Sequence, residues 1–242
     1  MRADRDDGTG LRVRVSGSHF PVTVLGPGRR LGIWLQGCPL ACAGCVSRHT
    51  WDPTGGHDTT VGALLELWRA ALAAGAEGLT VSGGEPLAQP EALTALLAGA
   101  ARERGAVPAD LLLYTGYSTV EVVADQARLG AVRHADALVS GRYVAVRPTD
   151  LVWRGSANQR LVPRTALGTA RYGPHLTRRA TDPTLQAVGL GSAVALLGVP
   201  RPGELAELEA GLSAAGTVLT EASWRAGEAV AGRRPTPRDR GR

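Results

Sequence analysis

Along the chain, short apolar runs alternate with stretches whose apolar residues recur every three or four positions. The runs at 31–36 (LGIWLQ), 79–82, 111–114 and 135–139 predict buried strands. The intervening stretches predict helices. In the first, Leu64, Leu65, Trp68 and Leu72 form one stripe, and Thr59 or Thr60 supplies the N-cap. The second starts at Pro90, a favoured first-turn residue, and places Leu93, Leu96, Leu97 and Ala100 on one face. The third opens with a capping box, Ser118 and Glu121, and is expected to run to Arg128. Residues 11–15 alternate as an edge strand would, 193–197 predict one more strand, and 204–214 predict a helix with Leu205, Leu208 and Leu212 inward. Residues 145–185, rich in Arg, Thr and Pro, are expected to be irregular.

Strands alternating with helices imply βαβ units, hence an α/β fold with a mostly parallel sheet. The chain, at 242 residues with an arm at one end, is short for a closed eight-fold barrel, which takes about 250 residues. An open, partial βα barrel is the expected architecture. The expected divisions are an arm at 1–30, a core at 31–200, a helix and short strand at 201–224, and a disordered basic tail at 225–242.

Composition changes this picture in three places. No run of 18 apolar residues exists, so no spanning helix is expected. The charged stretch at 1–10 has no apolar core of a secretory signal, and a cytoplasmic location is expected. The formal charge of +5 resides mostly in residues 225–242, where six Arg oppose Glu228 and Asp239. A solvated tail accounts for it, so no nucleic-acid partner is expected. All 27 basic residues are Arg, which excludes lysine Schiff bases and a P-loop lysine.

The 3 cysteines lie within eight residues, as Cys38, Cys42 and Cys45, in the loop that follows the first predicted strand. An odd count in one loop is not a disulfide framework. Thiolates suit zinc or an iron–sulfur cluster. A cubane cluster is normally held by four cysteines, so three leave one iron open for chemistry. With His49 as a fourth ligand, a Cys3His zinc site is the alternative. The loop lies at the carboxyl end of the predicted sheet, where βα folds place active sites. Later strands end there in Gly83-Gly84-Glu85-Pro86, Thr115-Gly116 and Ser140-Gly141.

The spacing C-x3-C-x2-C followed by Gly83-Gly84-Glu85-Pro86 resembles the radical S-adenosylmethionine (SAM) superfamily. Gln36-Gly37-Cys38-Pro39-Leu40, Thr50-Trp51, Tyr114-Thr115-Gly116-Tyr117-Ser118, Leu138-Val139-Ser140-Gly141-Arg142-Tyr143 and Arg154-Gly155-Ser156-Ala157-Asn158-Gln159-Arg160 are similar to one branch of it. That branch comprises the activating proteins of anaerobic ribonucleotide reductase, of the 4Fe-4S single cluster domain type. The resemblance covers residues 26–200. It departs from common family patterns at Gly44, where many members carry an aromatic residue, and at Val46-Ser47, where many carry His-Asn.

The resemblance implies a partial barrel of the radical SAM type. It implies a [4Fe-4S] cluster on Cys38, Cys42 and Cys45, and SAM chelated by the open iron. Gly83 and Gly84 would let the backbone approach the methionine, and Glu85 would accept from its ammonium. Gly44 and Val46 would face adenine, and Thr115 and Ser140 would reach the ribose. For these last two a cap or turn role is the equal alternative. Trp51 and Trp153 are expected to pack, and Asn158-Gln159-Arg160 has no derivable role. The implied partners are a glycyl-radical enzyme and a low-potential donor of the flavodoxin or ferredoxin type. Modification of a peptide or small molecule is the second reading, and a non-enzymatic metal module the third.

Overall fold

The computed structural model describes residues 8–190, 193–219 and 222–225. Its center is a seven-stranded sheet in the order β3-β1-β2-β4-β5-β6-β7. The strands are β1 (Arg12–Val22), β2 (Arg30–Leu35), β3 (His57–Thr60), β4 (Gly78–Gly83), β5 (Asp110–Thr115), β6 (Ala137–Ser140) and β7 (Arg160–Pro163). The middle four, β2-β4-β5-β6, pair in parallel. The outer pairings are antiparallel. The two edges, β3 and β7, do not pair with each other, so the barrel is not closed.

Between the parallel strands run α1 (Val61–Ala73), α2 (Pro90–Glu103), α3 (Thr119–Val123) and α4 (Gln126–Ala131). Alternation sends Leu31, Ile33, Leu35, Leu79, Val81, Leu111, Leu113 and Leu138 to one face. There they meet Leu64, Leu65, Trp68, Leu93, Leu96, Leu97 and Val122 of the helices in the main core. Thr60 caps α1 by accepting from the Ala63 amide, and the indole of Trp68 donates to the Ala100 carbonyl at 3.1 Å, joining α1 to α2. The capping box at Ser118 and Glu121 forms as expected. The predicted single helix after it is instead two, because Asp125 takes extended backbone and caps α4.

The opposite face carries Arg30, Thr80, Asp110, Leu112, Tyr114, Ala137 and Val139. Leu112, Ala137 and Val139 form a second cluster with Leu161 and Tyr172, against which Tyr114 and Trp153 pack. Tyr172 ends α5 (Ala166–Tyr172). At the amino end of the strands this face buries an ionic network. Arg30 and Asp110, both fully buried, pair at 2.7 Å. Arg30 also donates to the Thr80 hydroxyl and the Leu79 carbonyl. Arg171 reaches the same carboxylate at 2.7 Å, and the Tyr172 hydroxyl donates to it. A Cβ at Gly78 would lie 2.3 Å from Arg30 Nη1, so only glycine leaves room for the guanidinium.

Four expectations are corrected. The expected edge strand at 11–15 is the start of an eleven-residue strand that lies second in the sheet, covered by the unforeseen β3. Residues 145–185 are not wholly irregular: they contain β7 and α5. The strand expected near 193 is β9 (Ala193–Gly198), but it pairs only with β8 (Leu185–Leu190), apart from the main sheet. The helix α6 (Glu204–Ala214) has the expected bounds, but Leu205, Leu208 and Leu212 are only half-buried, and no strand follows it among the described residues before 225. Beyond Arg225 the expected basic tail lies outside the described residues. No helix among them is long and apolar enough to cross a membrane.

Candidate metal centre

The cysteine loop leaves β2 at Gln36 and is fastened at both ends. Gly37 and Cys38 amides donate to the Thr50 and Trp51 carbonyls at 2.8 and 3.0 Å, closing the loop's base. The buried Gln36 side chain donates to the His49 and Asp52 carbonyls. Gln89, at the start of α2, bonds both the Arg14 backbone and the Gln36 carbonyl. The loop therefore rests on β1 and α2 as well as β2. Neither glutamine lies in a periodic pattern, so the bracing by Gln89 was not foreseen.

Within the loop all three cysteines are free and half-buried. Ala41 (φ 42°) and Gly44 (φ 77°) take left-handed backbone, which coils the loop. Burial pushes the Cys38 thiol up, opposed by bonds from the Leu40 and Ala41 amides. Burial does the same to Cys45, opposed by the Ser47 amide and the Trp51 indole. These N–H donors favour thiolate over thiol, which is the ligand form. Trp51 thus has a polar contact with the loop beyond packing, and it carries the Arg48 guanidinium at 5.3 Å over its ring.

The donor set is three thiols on one loop. Zinc needs donors converging at about 2.0–2.3 Å on one point. His49, the fourth ligand of the zinc alternative, is exposed. A cubane takes its thiolates on separate irons, and three half-buried thiols on one loop fit that demand.

The turn after β4 abuts the loop. The Gly84 amide donates to Leu35 and the Glu85 amide to Gly37, each at 2.8 Å. A Cβ on Gly84 would sit 2.3 Å from the Gly37 carbonyl oxygen and 2.8 Å from that of Thr50. At Gly83 (φ 112°) it would sit 2.3 Å from the Leu35 carbonyl oxygen. Both glycines are thus required for the approach of two protein loops, whatever else the turn binds.

Glu85, expected to accept from the methionine ammonium, accepts from protein donors. It is 1% exposed. Its Oε1 accepts from the Leu87 amide and the Thr115 hydroxyl, both at 2.9 Å, and its Oε2 from the Gly116 amide at 2.7 Å. Burial pushes its pKa up, opposed by these three donors. Only an acceptor fits such a ring of donors. Glu85→Gln is expected to set an amide NH2 against a backbone N–H and to cost about 1–3 kcal/mol, measurable by urea denaturation. An unchanged midpoint would mean that the turn tolerates a donor.

Thr115 lies on the helix-covered face, bound to Glu85 and accepting from the Tyr117 amide. Ser140 is 2% exposed on that same face, near the Thr119 hydroxyl at 3.4 Å. The structure brings Thr115 to Glu85, pairs Ser140 with Thr115 across β5 and β6, and turns neither hydroxyl to the open face. The Gly141 amide donates to the Thr115 and Tyr117 carbonyls, joining the two strand ends. Asn158 and Gln159 acquire a clear role. Asn158 donates to the Arg142 carbonyl and Gln159 to that of Gly141, while Gln159 accepts from Gly155 and Ser156. They hold the segment after β6, which lies against the cysteine loop: a Cβ at Gly44 would be 3.4 Å from Tyr143. The Val46 carbonyl accepts from Ser223 at 3.2 Å, so the chain beyond α6 returns to this loop.

Comparison with known proteins bears on what such a loop holds. The family model of the 4Fe-4S single cluster domain matches residues 24–162. The chain belongs to that family. Proteins similar to it include anaerobic ribonucleoside-triphosphate reductase-activating proteins. That of Enterobacteria phage T4 is 32% identical over 143 residues, 59% of this chain and 88% of the relative. That of Vibrio cholerae is 33% identical over 150 residues, 58% of this chain and 92% of the relative. That of Escherichia coli K12 is 31% identical over 148 residues, with shares of 58% and 93%. The matched span contains the cysteine loop, the Gly83–Glu85 turn, and β2 to β6.

Proposed function

We propose that the chain is a radical SAM enzyme that installs a glycyl radical on a partner of the anaerobic ribonucleotide reductase kind. The observation that carries this reading is the cysteine loop, with three free thiols, its base bonded to the Gly83-Gly84-Glu85 turn. The names of the relatives supply the partner class. Cys38, Cys42 and Cys45 would hold the [4Fe-4S] cluster. That cluster, when reduced, supplies the electron that cleaves SAM to methionine and a 5′-deoxyadenosyl radical able to take hydrogen from a glycine.

The protein's own part is binding and exclusion of water. The backbone of residues 83–85 meets the methionine ammonium, and Glu85 shapes that turn from below. Gly44 and Val46 present backbone to adenine. Thr115 and Ser140 act through the strand-end turns they brace. A low-potential flavodoxin- or ferredoxin-type donor in the cytoplasm completes the proposal.

The test is anaerobic. The protein is reconstituted with iron and sulfide, reduced with dithionite, and given SAM with and without the reductase. The expected result is 5′-deoxyadenosine by mass spectrometry, and a glycyl radical by electron paramagnetic resonance only when the reductase is present. 5′-Deoxyadenosine without a protein radical would leave SAM cleavage and overturn the partner. Bound zinc without sulfide would overturn both.

A further inference from the structure

We propose that residues 222–225 are a strap over the cysteine loop, latched by Glu209 of α6, and that it slows the loss of iron from the metal centre. The inference rests on the iron–sulfur reading above and adds regulation of that same site. The strap follows β8, β9 and α6, which lie beyond residue 162, where the match to the family model ends. The relatives are matched over 88% to 93% of their own length by 58% to 59% of this chain. A unit of this size is an addition to the shared core.

The unit is fastened at two ends. At one, the Gln186 side chain of β8 donates to the Pro21 carbonyl at 2.8 Å and accepts from the Thr23 amide at 3.1 Å, tying the hairpin to the end of β1. At the other, the Ser223 hydroxyl donates to the Val46 carbonyl at 3.2 Å. Val46 directly follows Cys45, so the strap reaches the cysteine loop beside a metal ligand. Ala222 is only 4% exposed, and Ser223, Trp224 and Arg225 are half-buried. The segment is seated on the protein.

One carboxylate seats it. The Trp224 indole donates to Glu209 Oε1 at 2.6 Å, and Arg225 Nη2 donates to Oε2 at 3.2 Å. Both oxygens of Glu209 are thus taken by consecutive residues of the strap. Arg225 Nη1 also donates to the Leu219 carbonyl at 3.1 Å. No residue of α6 is fully buried, so apolar packing does little here and the charge-assisted bonds decide the position. The Glu209 and Arg225 side chains are 30% and 32% exposed, within reach of water. Such a latch opens locally, without unfolding the sheet. Opening releases the Val46 carbonyl and uncovers the loop beside Cys45. Iron is then lost through the open form, at a rate set by how much of it is populated.

The test follows iron loss from the reconstituted, full-length holoprotein under anaerobic conditions. A ferrous chelator is added in excess, and the visible absorbance of the cluster is recorded as it decays. Glu209→Ala, which removes both acceptors, is expected to lose iron about 10-fold faster. Glu209→Gln keeps an acceptor without the charge and should fall between. Ser223→Ala should be several-fold faster, and it carries the test should Glu209→Ala fail to fold. Glu207→Ala, an exposed change on the same helix, should match wild type. Hydrogen exchange in residues 222–225, read by mass spectrometry, reports the opening itself and should rise in Glu209→Ala. Faster exchange with unchanged iron loss overturns the protective role, and unchanged exchange overturns the latch. A wild type that takes up no iron and sulfide overturns the cluster reading instead.

Discussion

Cys42→Ala is expected to reduce 5′-deoxyadenosine formation to background while leaving the apo fold unchanged. Cys42 contributes a thiol and no side-chain hydrogen bond to the loop. Its structural contribution is through the backbone, where the Cys45 amide donates to its carbonyl at 3.1 Å. The bonds that hold the loop in place, from Gly37, Cys38, Gly84, Glu85, Gln36 and Gln89, do not involve its sulfur. Truncating a half-exposed side chain without partners costs about 0.5 kcal/mol or less. The chemistry, by contrast, loses one of three metal ligands. The comparison uses apoproteins for stability, because a bound cluster adds its own binding free energy to the folded state. The checks are urea denaturation of the apo forms, iron content after reconstitution, and product by mass spectrometry. Full product from Cys42→Ala would remove this cysteine from the ligand set.

Asp110→Ala is expected to be the most destabilising single change at the amino end of the sheet. The carboxylate receives Arg30, Arg171 and the Tyr172 hydroxyl on the open face, bringing β5 together with β2 and α5. Removing it leaves the fully buried Arg30 guanidinium without its counter-charge. Breaking a buried pair in this way costs about 3–5 kcal/mol. In a chain of this size that corresponds to roughly 6–20 °C in melting temperature. The double change Arg30→Met with Asp110→Leu should recover most of the loss, because an apolar pair of similar volume avoids the desolvation penalty. Calorimetry on the three forms decides it. A loss under about 1 kcal/mol for Asp110→Ala would mean that the network is solvated and contributes little. The network lies at the opposite end of the strands from the cysteine loop, so iron content in the surviving fold should be normal.

The parallel strands were legible because burial on both faces makes them continuous apolar runs, as at 31–36 and 111–114. Thr60, Pro90 and the Ser118–Glu121 box marked helix starts through local capping chemistry, which needs no tertiary context. Where the reading failed, partners distant in sequence decided. Ser16 to Val22 extend β1 because β2 pairs along it to Val22, and their own pattern is not alternating. The strand β7 forms against β6, with the Arg164 amide bonded to the Asp136 carbonyl. Asp125 broke a helix that periodicity carried through, since a side chain that caps its own backbone competes with helix interior.

The sequence by itself determined the cysteine spacing, the glycine turn, the parallel strand–helix rhythm and the membership that follows from them. These are local patterns, set by ligand chemistry, φ preference and side-chain periodicity. The tertiary structure alone decided how the charged and polar groups are spent. It committed Glu85 to Leu87, Thr115 and Gly116, turned Thr115 and Ser140 toward the helices, and set Asn158 and Gln159 under the segment after β6. Among the described residues it also left Arg154 buried without an acid and the Tyr114 hydroxyl without a hydrogen-bond partner. Hydrogen bonds and ion pairs between residues tens of positions apart are fixed by which strands lie side by side, and no spacing along the chain encodes that.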